Sequence, residues 1–153
     1  MTSEEFSYYI KEKGITLGSV ESFTGGLFAR EITRIPGASK FYKGGLVTYA
    51  TEEKINVLKV DKEVVNRYGV VSSECAYQMA LKGRELLNVD LCVSFTGNAG
   101  PDVMEGKACG EIYIGISIED RTYTYPYLLK GDRNSVQTEA VCIAFDLIKN
   151  LLK

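Results

Sequence analysis

Ser22 lies in the run Glu21-Ser22-Phe23-Thr24-Gly25-Gly26, after the apolar stretch Ile15 to Val20 and before Leu27 to Ile32. The first stretch predicts a short strand and the second a helix, so Ser22 falls at a strand-to-helix turn. A hydroxyl there is held clear of its own backbone. It faces the free N–H groups of a helix start, which suit an oxyanion or a bound anion. This is the layout of a nucleophilic serine. The same position also suits a plain N-cap, with Gly25 and Gly26 permitting a tight turn. Position alone leaves both readings open.

The chain contains no histidine. Ser-His-Asp and Cys-His chemistry is therefore excluded within one chain, and a serine nucleophile would need a lysine base. A lysine amine is protonated in water, with a reference pKa of about 10.4. It becomes a base only where burial or a nearby cation disfavours its charged form. The lack of histidine also weakens any zinc proposal, and no metal site is expected. The four cysteines, Cys75, Cys92, Cys109 and Cys142, form no Cys-x-x-Cys pair, so neither a redox motif nor a zinc knuckle is signalled. Cys75 and Cys142 fall in helical patterns and Cys92 in an apolar strand, where buried reduced thiols are expected. Cys109 lies in a polar stretch and is expected to be reachable.

The elements that must position Ser22 fit a single domain over residues 1–153. Apolar content of 45% and charged content of 25% are ordinary for a globular protein. The net charge of −2 gives no basic footprint for nucleic acid. No apolar run reaches the roughly 20 residues that cross a bilayer, and the acidic N-terminus lacks a signal-peptide pattern. A cytoplasmic location is the expectation.

Phe6, Tyr9 and Ile10 have helical spacing, which predicts a helix from Ser3 to Lys13 ending at Gly14. The helix after Ser22 must stop before Pro36-Gly37. Phe41 to Tyr49 reads as a strand. A short helix opens at Thr51, with Thr51 as its possible cap, and another follows Asp61. Ser72 caps the clearest helix, whose apolar stripe is Ala76, Met79, Ala80, Gly83, Leu86 and Leu87. Leu91 to Phe95 is a buried strand. Glu111 to Ile118 and Thr122 to Leu129 form a hairpin. Asp132 can cap a last helix with Val136, Ala140, Ile143, Ala144, Leu147, Ile148 and Leu151 inward. Strands separated by helices indicate parallel pairing. The fold expected is α/β: a three-layer α/β/α sandwich around a mixed, mainly parallel sheet with a C-terminal hairpin.

A second glycine-bearing turn, Thr96-Gly97-Asn98-Ala99-Gly100-Pro101, follows the Leu91 strand. If the two strands are parallel neighbours, both turns open into one cleft beyond their carboxyl ends. Neither turn is a G-x-G-x-x-G or a P-loop.

An ordered set of segments covers nearly the whole chain: the Ser22 run, Pro36-Gly37-Ala38-Ser39, Tyr42 to Lys54, Gly69-Val70-Val71-Ser72, the Thr96 turn, and Gly131-Asp132-Arg133. Together they resemble the C-terminal domain of the competence-damage-inducible protein CinA, a family whose stand-alone members are nicotinamide-nucleotide amidohydrolases. The resemblance implies hydrolysis of nicotinamide mononucleotide to nicotinic acid mononucleotide and ammonia, without metal or organic cofactor. It carries the nucleophile onto Ser22, the general base onto Lys54 and an assisting role onto Tyr49. Thr96 and Arg133 match positions implicated in the pocket.

In that scheme Lys54 takes the Ser22 proton as the oxygen attacks the amide carbon, and amides near Thr24, Gly25 and Gly26 hold the oxyanion. Arg133 and the Gly97 to Gly100 turn could meet the substrate phosphate. The family resemblance also implies a homodimer. One segment departs from the pattern. The family's longer loop, rich in glycine and proline, is replaced by the shorter, acid-started Asp102 to Gly110. A reshaped pocket would suit a different amide, and an inactive nucleotide-binding or scaffold domain is the non-enzymatic alternative.

Overall fold

The computed structural model of the chain describes residues 1–153. Helix α1 (Ser3–Lys13) opens on Thr2, whose hydroxyl accepts from the Glu5 amide while the Glu5 carboxylate accepts from the Thr2 amide. That reciprocal box satisfies two orphan donors. Gly14 closes the helix at φ 68°, where glycine is unstrained. Strand β1 (Leu17–Glu21), helix α2 (Leu27–Thr33), one 3-10 turn (Ala38–Lys40) and strand β2 (Tyr42–Val47) follow. Three helices come next: α3 (Thr51–Asn56), α4 (Lys62–Tyr68) and α5 (Ser73–Leu87). Strands β3 (Leu91–Gly97), β4 (Glu111–Ile118) and β5 (Arg121–Leu128) lead into α6 (Arg133–Leu151).

The five strands make one sheet in the order β2-β1-β3-β4-β5. β1 pairs in parallel with both β2 and β3, and the β3–β4 and β4–β5 pairs are antiparallel. Four strands thus point one way and β4 alone runs against them. Helices α1, α2 and α6 pack together over one face, while α5, with α4 against it, covers the other. This is the mixed three-layer α/β arrangement that the sequence predicts. No helix is long and apolar enough to cross a membrane.

The two-residue period of β1 divides its side chains between the faces. Leu17 joins the large cluster that includes Phe6, Phe28, Phe95 and Phe145. Val20 points the other way, into a smaller cluster with Leu58, Val60, Val70, Val71 and Cys75. Helix α5 lies unusually near the sheet because both surfaces are small. A Cβ on Gly83 would meet Val20 at 2.4 Å, and one on Gly115 would meet the Ala76 carbonyl oxygen at 2.3 Å. Ser94 uses the same proximity to donate to that oxygen at 2.7 Å.

Several local expectations shift. Thr51 is the first residue of α3 rather than its cap, and Ala50, which has no capping side chain, takes that position. β2 ends at Val47, because the Tyr49 backbone turns away to meet a side chain of α3. On α5 the buried positions run Cys75, Ala76, Met79, Ala80 and Gly83, which rolls Leu86 out to solvent. The inward face of α6 includes Val141 and Phe145, so the adjacent Cys142 is exposed, as Cys109 is. Cys75 and Cys92 are buried, and desolvation raises both thiols, Cys75 to about 12. The caps at Asp61, Ser72 and Asp132 stand as the sequence predicts.

The Phe145 ring ties the helical layer together, stacked on Phe6 at 4.4 Å and tilted against Phe28 at 5.7 Å. Phe145→Ala is expected to cost about 3–5 kcal/mol in chemical denaturation, a large part of a typical domain's stability. A loss below about 1 kcal/mol would show that α6 does not depend on this cluster.

Candidate active site

The carboxyl ends of β1, β2 and β3 lie side by side, and β1–β3 is where the strand order reverses. The connection after β1 covers one face and the connection after β2 covers the other, so the chain splays apart at this point and leaves a crevice. Ser22 is the first residue beyond β1, and its amide donates to the Phe95 carbonyl at 3.0 Å, in step with β3. The turn then tightens. Gly25 donates to the Ser22 carbonyl and Leu27 to the Thr24 carbonyl, each at 3.0 Å. Gly25 and Gly26 have φ values of 59° and 101°, a left-handed pair that side chains resist.

Glu21 braces this turn from below. Strand parity sends its buried carboxylate towards α2, where it accepts from the amides of Phe28 at 2.9 Å and Ala29 at 3.1 Å. An acid at the positive end of a helix is favourable. It also means that those two amides are occupied. Gly25 is occupied too, so the amides left free to meet an anion are not the full Thr24–Gly26 set that the sequence suggests. The amides of Phe23, Thr24 and Gly26 have no protein acceptor. Phe23, directly after the serine, has the place that an oxyanion donor takes in other serine turns.

Lys54 is the one buried residue of α3 and is only 1% exposed. Its Nζ lies 2.6 Å from the Thr48 carbonyl oxygen, 3.2 Å from the Tyr49 carbonyl oxygen and 2.9 Å from Ser22 Oγ. As an ammonium, the group donates to all three. As a neutral amine, it donates to the two carbonyls, and its lone pair then faces Ser22 Oγ. Burial holds the Lys54 amine below its ordinary value, against weaker opposing effects of Cys75, Glu105 and Glu52. A desolvated lysine on a serine hydroxyl is the pairing that a histidine-free nucleophile requires.

Ser22 opens onto a cleft of about 350 Å³ lined by Phe23, Tyr49, Asn98, Asp102, Val103, Met104 and Arg133, among others. Arg133, the first residue of α6, donates to the Gly100 carbonyl at 2.8 Å and the Tyr49 hydroxyl at 2.9 Å. It makes no ion pair with Asp132, whose carboxylate caps the Ser135 amide and is lowered by that bond. Arg133 therefore keeps its positive charge at the cleft. Tyr49 is 61% exposed, with its ring on the cleft wall and its carbonyl on Lys54.

The structure thus brings Ser22, Lys54, Tyr49, Gly97 and Arg133 together. Gly100 contributes its carbonyl to Arg133 from outside the lining. Thr96 is buried, and its hydroxyl donates to the Val70 carbonyl at 2.7 Å instead of facing the cleft. Thr24, Gly25 and Gly26 shape the serine turn without lining the cavity. Three residues absent from the predicted site complete it. Glu21 holds α2. Asn98 binds the Met104 backbone through both its amide atoms, at 3.0 and 3.2 Å. Gln137 donates from α6 to the Phe23 carbonyl at 2.7 Å. Gln137 stands four residues after Arg133, and that i, i+4 spacing on a capped helix is the signal that could have found it. No group of three His, Cys, Asp or Glu side chains is placed to hold a metal ion.

Residues 2–152 match the family model described as CinA C-terminal domain. A protein of Listeria innocua described as competence-damage inducible is 47% identical over 142 residues, 92% of this chain and 34% of that protein. One of Bacillus subtilis with the same description is 42% identical over 150 residues, covering 98% and 36%. The chain therefore spans about a third of the length of these relatives. A CinA superfamily crystal structure from Enterobacter cloacae superposes with a TM-score of 0.95 at 27% identity, covering 100% of this chain and 94% of that one. Another from Escherichia coli gives 0.93 at 28% identity, covering 98% and 90%.

Ser22 is expected to react with a fluorophosphonate probe, faster as the pH rises and Lys54 loses its proton. Lys54→Ala should slow that labelling by about 10²–10⁴-fold, the usual contribution of a positioned base. Mass spectrometry locates the adduct, and equal labelling of the two proteins would remove Lys54 from the role of base.

Proposed function

The chain belongs to the CinA C-terminal domain family, and from that premise we propose that it is a nicotinamide mononucleotide deamidase using Ser22 as nucleophile and Lys54 as base. The carrying observation is the buried Lys54 amine 2.9 Å from Ser22 Oγ, with its other two contacts on carbonyls. Neutral Lys54 accepts the Ser22 proton as Oγ bonds to the amide carbon. Negative charge develops on the amide oxygen, and the amides of Phe23 and Thr24 are the unoccupied donors nearest in sequence. The protonated lysine then gives its proton to the departing nitrogen, releasing ammonia and leaving a nicotinyl ester on Ser22. Water, deprotonated through the same lysine, adds to the ester carbon, and Ser22 leaves with the proton.

Arg133 takes the substrate phosphate in this scheme. Its planar fork is already oriented by Gly100 and Tyr49, and a bidentate pairing with phosphate oxygens suits a guanidinium. Tyr49 contributes through its carbonyl on Lys54 and its hydroxyl on Arg133. A homodimer is part of the proposal, and sedimentation showing only monomer at micromolar concentration would refute it. A second reading keeps the Ser-Lys pair but changes the amide. It is favoured by Asp102, an acid on the cleft wall that faces any anionic ligand.

Ammonia release from nicotinamide mononucleotide is expected for the native chain, with Ser22→Ala and Lys54→Ala folded and reduced by at least about 10³-fold. Activity should rise with pH to a plateau, because the depressed Lys54 must be neutral to act. A native chain that binds the nucleotide without releasing ammonia would overturn the deamidase reading. Arg133→Ala should raise KM for the mononucleotide by roughly 10- to 100-fold, the value of hydrogen bonds to a charged group. The same variant should leave the phosphate-free nucleoside almost unaffected, and an equal loss on both would take the phosphate contact away from Arg133.

A further inference from the structure

The loop Asp102 to Gly110 is fastened to the α4–α5 junction by two of its own charged side chains. Glu105 accepts from the Val70 amide at 2.8 Å and the Val71 amide at 3.0 Å. Lys107 Nζ donates to the Tyr68 carbonyl at 3.0 Å and to the Val71 carbonyl, and lies 3.4 Å from Glu105 Oε1. Thr96 donates to the Val70 carbonyl. Both amides and both carbonyls of Val70-Val71 are therefore held by side chains from the loop or β3. The fit is close. A Cβ on Gly69 would meet the Glu105 carboxylate at 2.4 Å, and Gly69 has φ 79°. Glu105 itself has φ 62°, a left-handed backbone that a non-glycine residue keeps only when its contacts demand it.

The two sides of this clasp face different parts of the site. Immediately before Glu105, Val103 and Met104 line the cleft, with the Met104 backbone held on its other side by Asn98. Behind it, Val70 and Val71 share a buried cluster with Leu58, Val60 and Cys75. The Val60 amide donates to the Lys54 carbonyl at 2.9 Å, so that cluster adjoins the helix carrying the base. Three ionisable groups act on the Lys54 amine: Cys75 from α5, Glu105 from the loop and Glu52 from α3 itself.

We propose that Glu105 is a positioning residue for the Ser22–Lys54 pair, joining the Val103–Met104 wall of the cleft to the Val70–Val71 cluster behind Lys54. The kinetic consequence rests on the Ser-Lys reading, and the geometry does not. A carboxylate near a desolvated amine favours its protonated form. Glu105, together with Cys75, thereby offsets part of the burial effect on the Lys54 amine. Because the same carboxylate holds the cleft wall, ligand fit and base strength change together when it is altered.

The test is the pH titration of the Lys54 resonance in the full chain labelled with [ε-13C]lysine, assigned by its absence from Lys54→Arg. Glu105→Gln retains one acceptor and loses the charge, and should lower the Lys54 midpoint. Lys107→Met loosens the clasp but keeps the anion, and should not lower it. If Glu105→Gln does not fold, Glu105→Asp replaces it. Its shorter side chain withdraws the charge, so the midpoint should still fall. Unchanged midpoints in the folded variants would overturn the proposal, as would an equal fall in Lys107→Met. Where ammonia release is measurable, the acid limb of kcat/KM should follow the midpoint in Glu105→Gln. A midpoint that responds to Glu105 in a chain that hydrolyses no amide supports this inference while refuting the deamidase reading.

Discussion

A lysine amine out of water must be given polar partners, and the site is organised around meeting that demand for Lys54. Two carbonyls and one hydroxyl surround Nζ, and each comes from the end of a parallel strand. The hydroxyl is Ser22 beyond β1, and the carbonyls are Thr48 and Tyr49 beyond β2. Bringing these ends together requires β1 and β2 to be neighbours in register, and Thr48 donates to the Glu21 carbonyl to keep them so. Without those partners, burial of the amine would be strongly unfavourable. With them, burial is tolerated and the proton becomes easier to remove. The same desolvation that threatens the fold thus weakens the amine's hold on its proton.

Around this pair the sheet separates two kinds of packing. One face is built from large rings, with Phe28 in contact with Phe6, Phe95 and Phe145, and Phe6 stacked on Phe145. The other pairs α5 with small residues, where Gly83, Gly115 and Ser94 allow backbone and helix to approach. The small-residue face keeps α5 and the Val70-Val71 segment close beneath the strand ends. It thereby places a second buried cluster beside Lys54, into which the loop from Asp102 reaches.

Much of this was legible in the chain itself. The caps at Asp61, Ser72 and Asp132, the strand before Ser22 and the late hairpin follow from local rules, and local rules hold where a residue's partners are near in sequence. Lys54 is different. On a six-residue helix with two acids in its first turn it has the pattern of a solvated surface residue, and only the family resemblance singled it out. Its burial depends on where β2 delivers α3, which spacing does not encode. Gln137 and Glu21 were missed for a related reason. Their partners, Phe23 and the amides of α2, are defined by the turn's three-dimensional path. The family resemblance assigned Thr96 to the pocket, whereas strand parity sends its hydroxyl to the α5 side, onto Val70.

Helix α6 bears on the site from the far end of the sequence. Its first turn supplies Arg133 to the cleft, and its second supplies Gln137 to the serine turn. Further along, Tyr9 of α1 donates to the Lys149 carbonyl, and Phe145 stacks on Phe6. Ser22 and Lys54 lie 32 residues apart, and their contact is made beyond the ends of β1 and β2 without α6. The cation of the cleft, by contrast, comes from α6 and depends on that helix packing against α1 and α2. The cleft is therefore completed by a long-range contact, and a chain with α6 detached would keep the Ser22–Lys54 contact in a cleft that lacks the Arg133 charge.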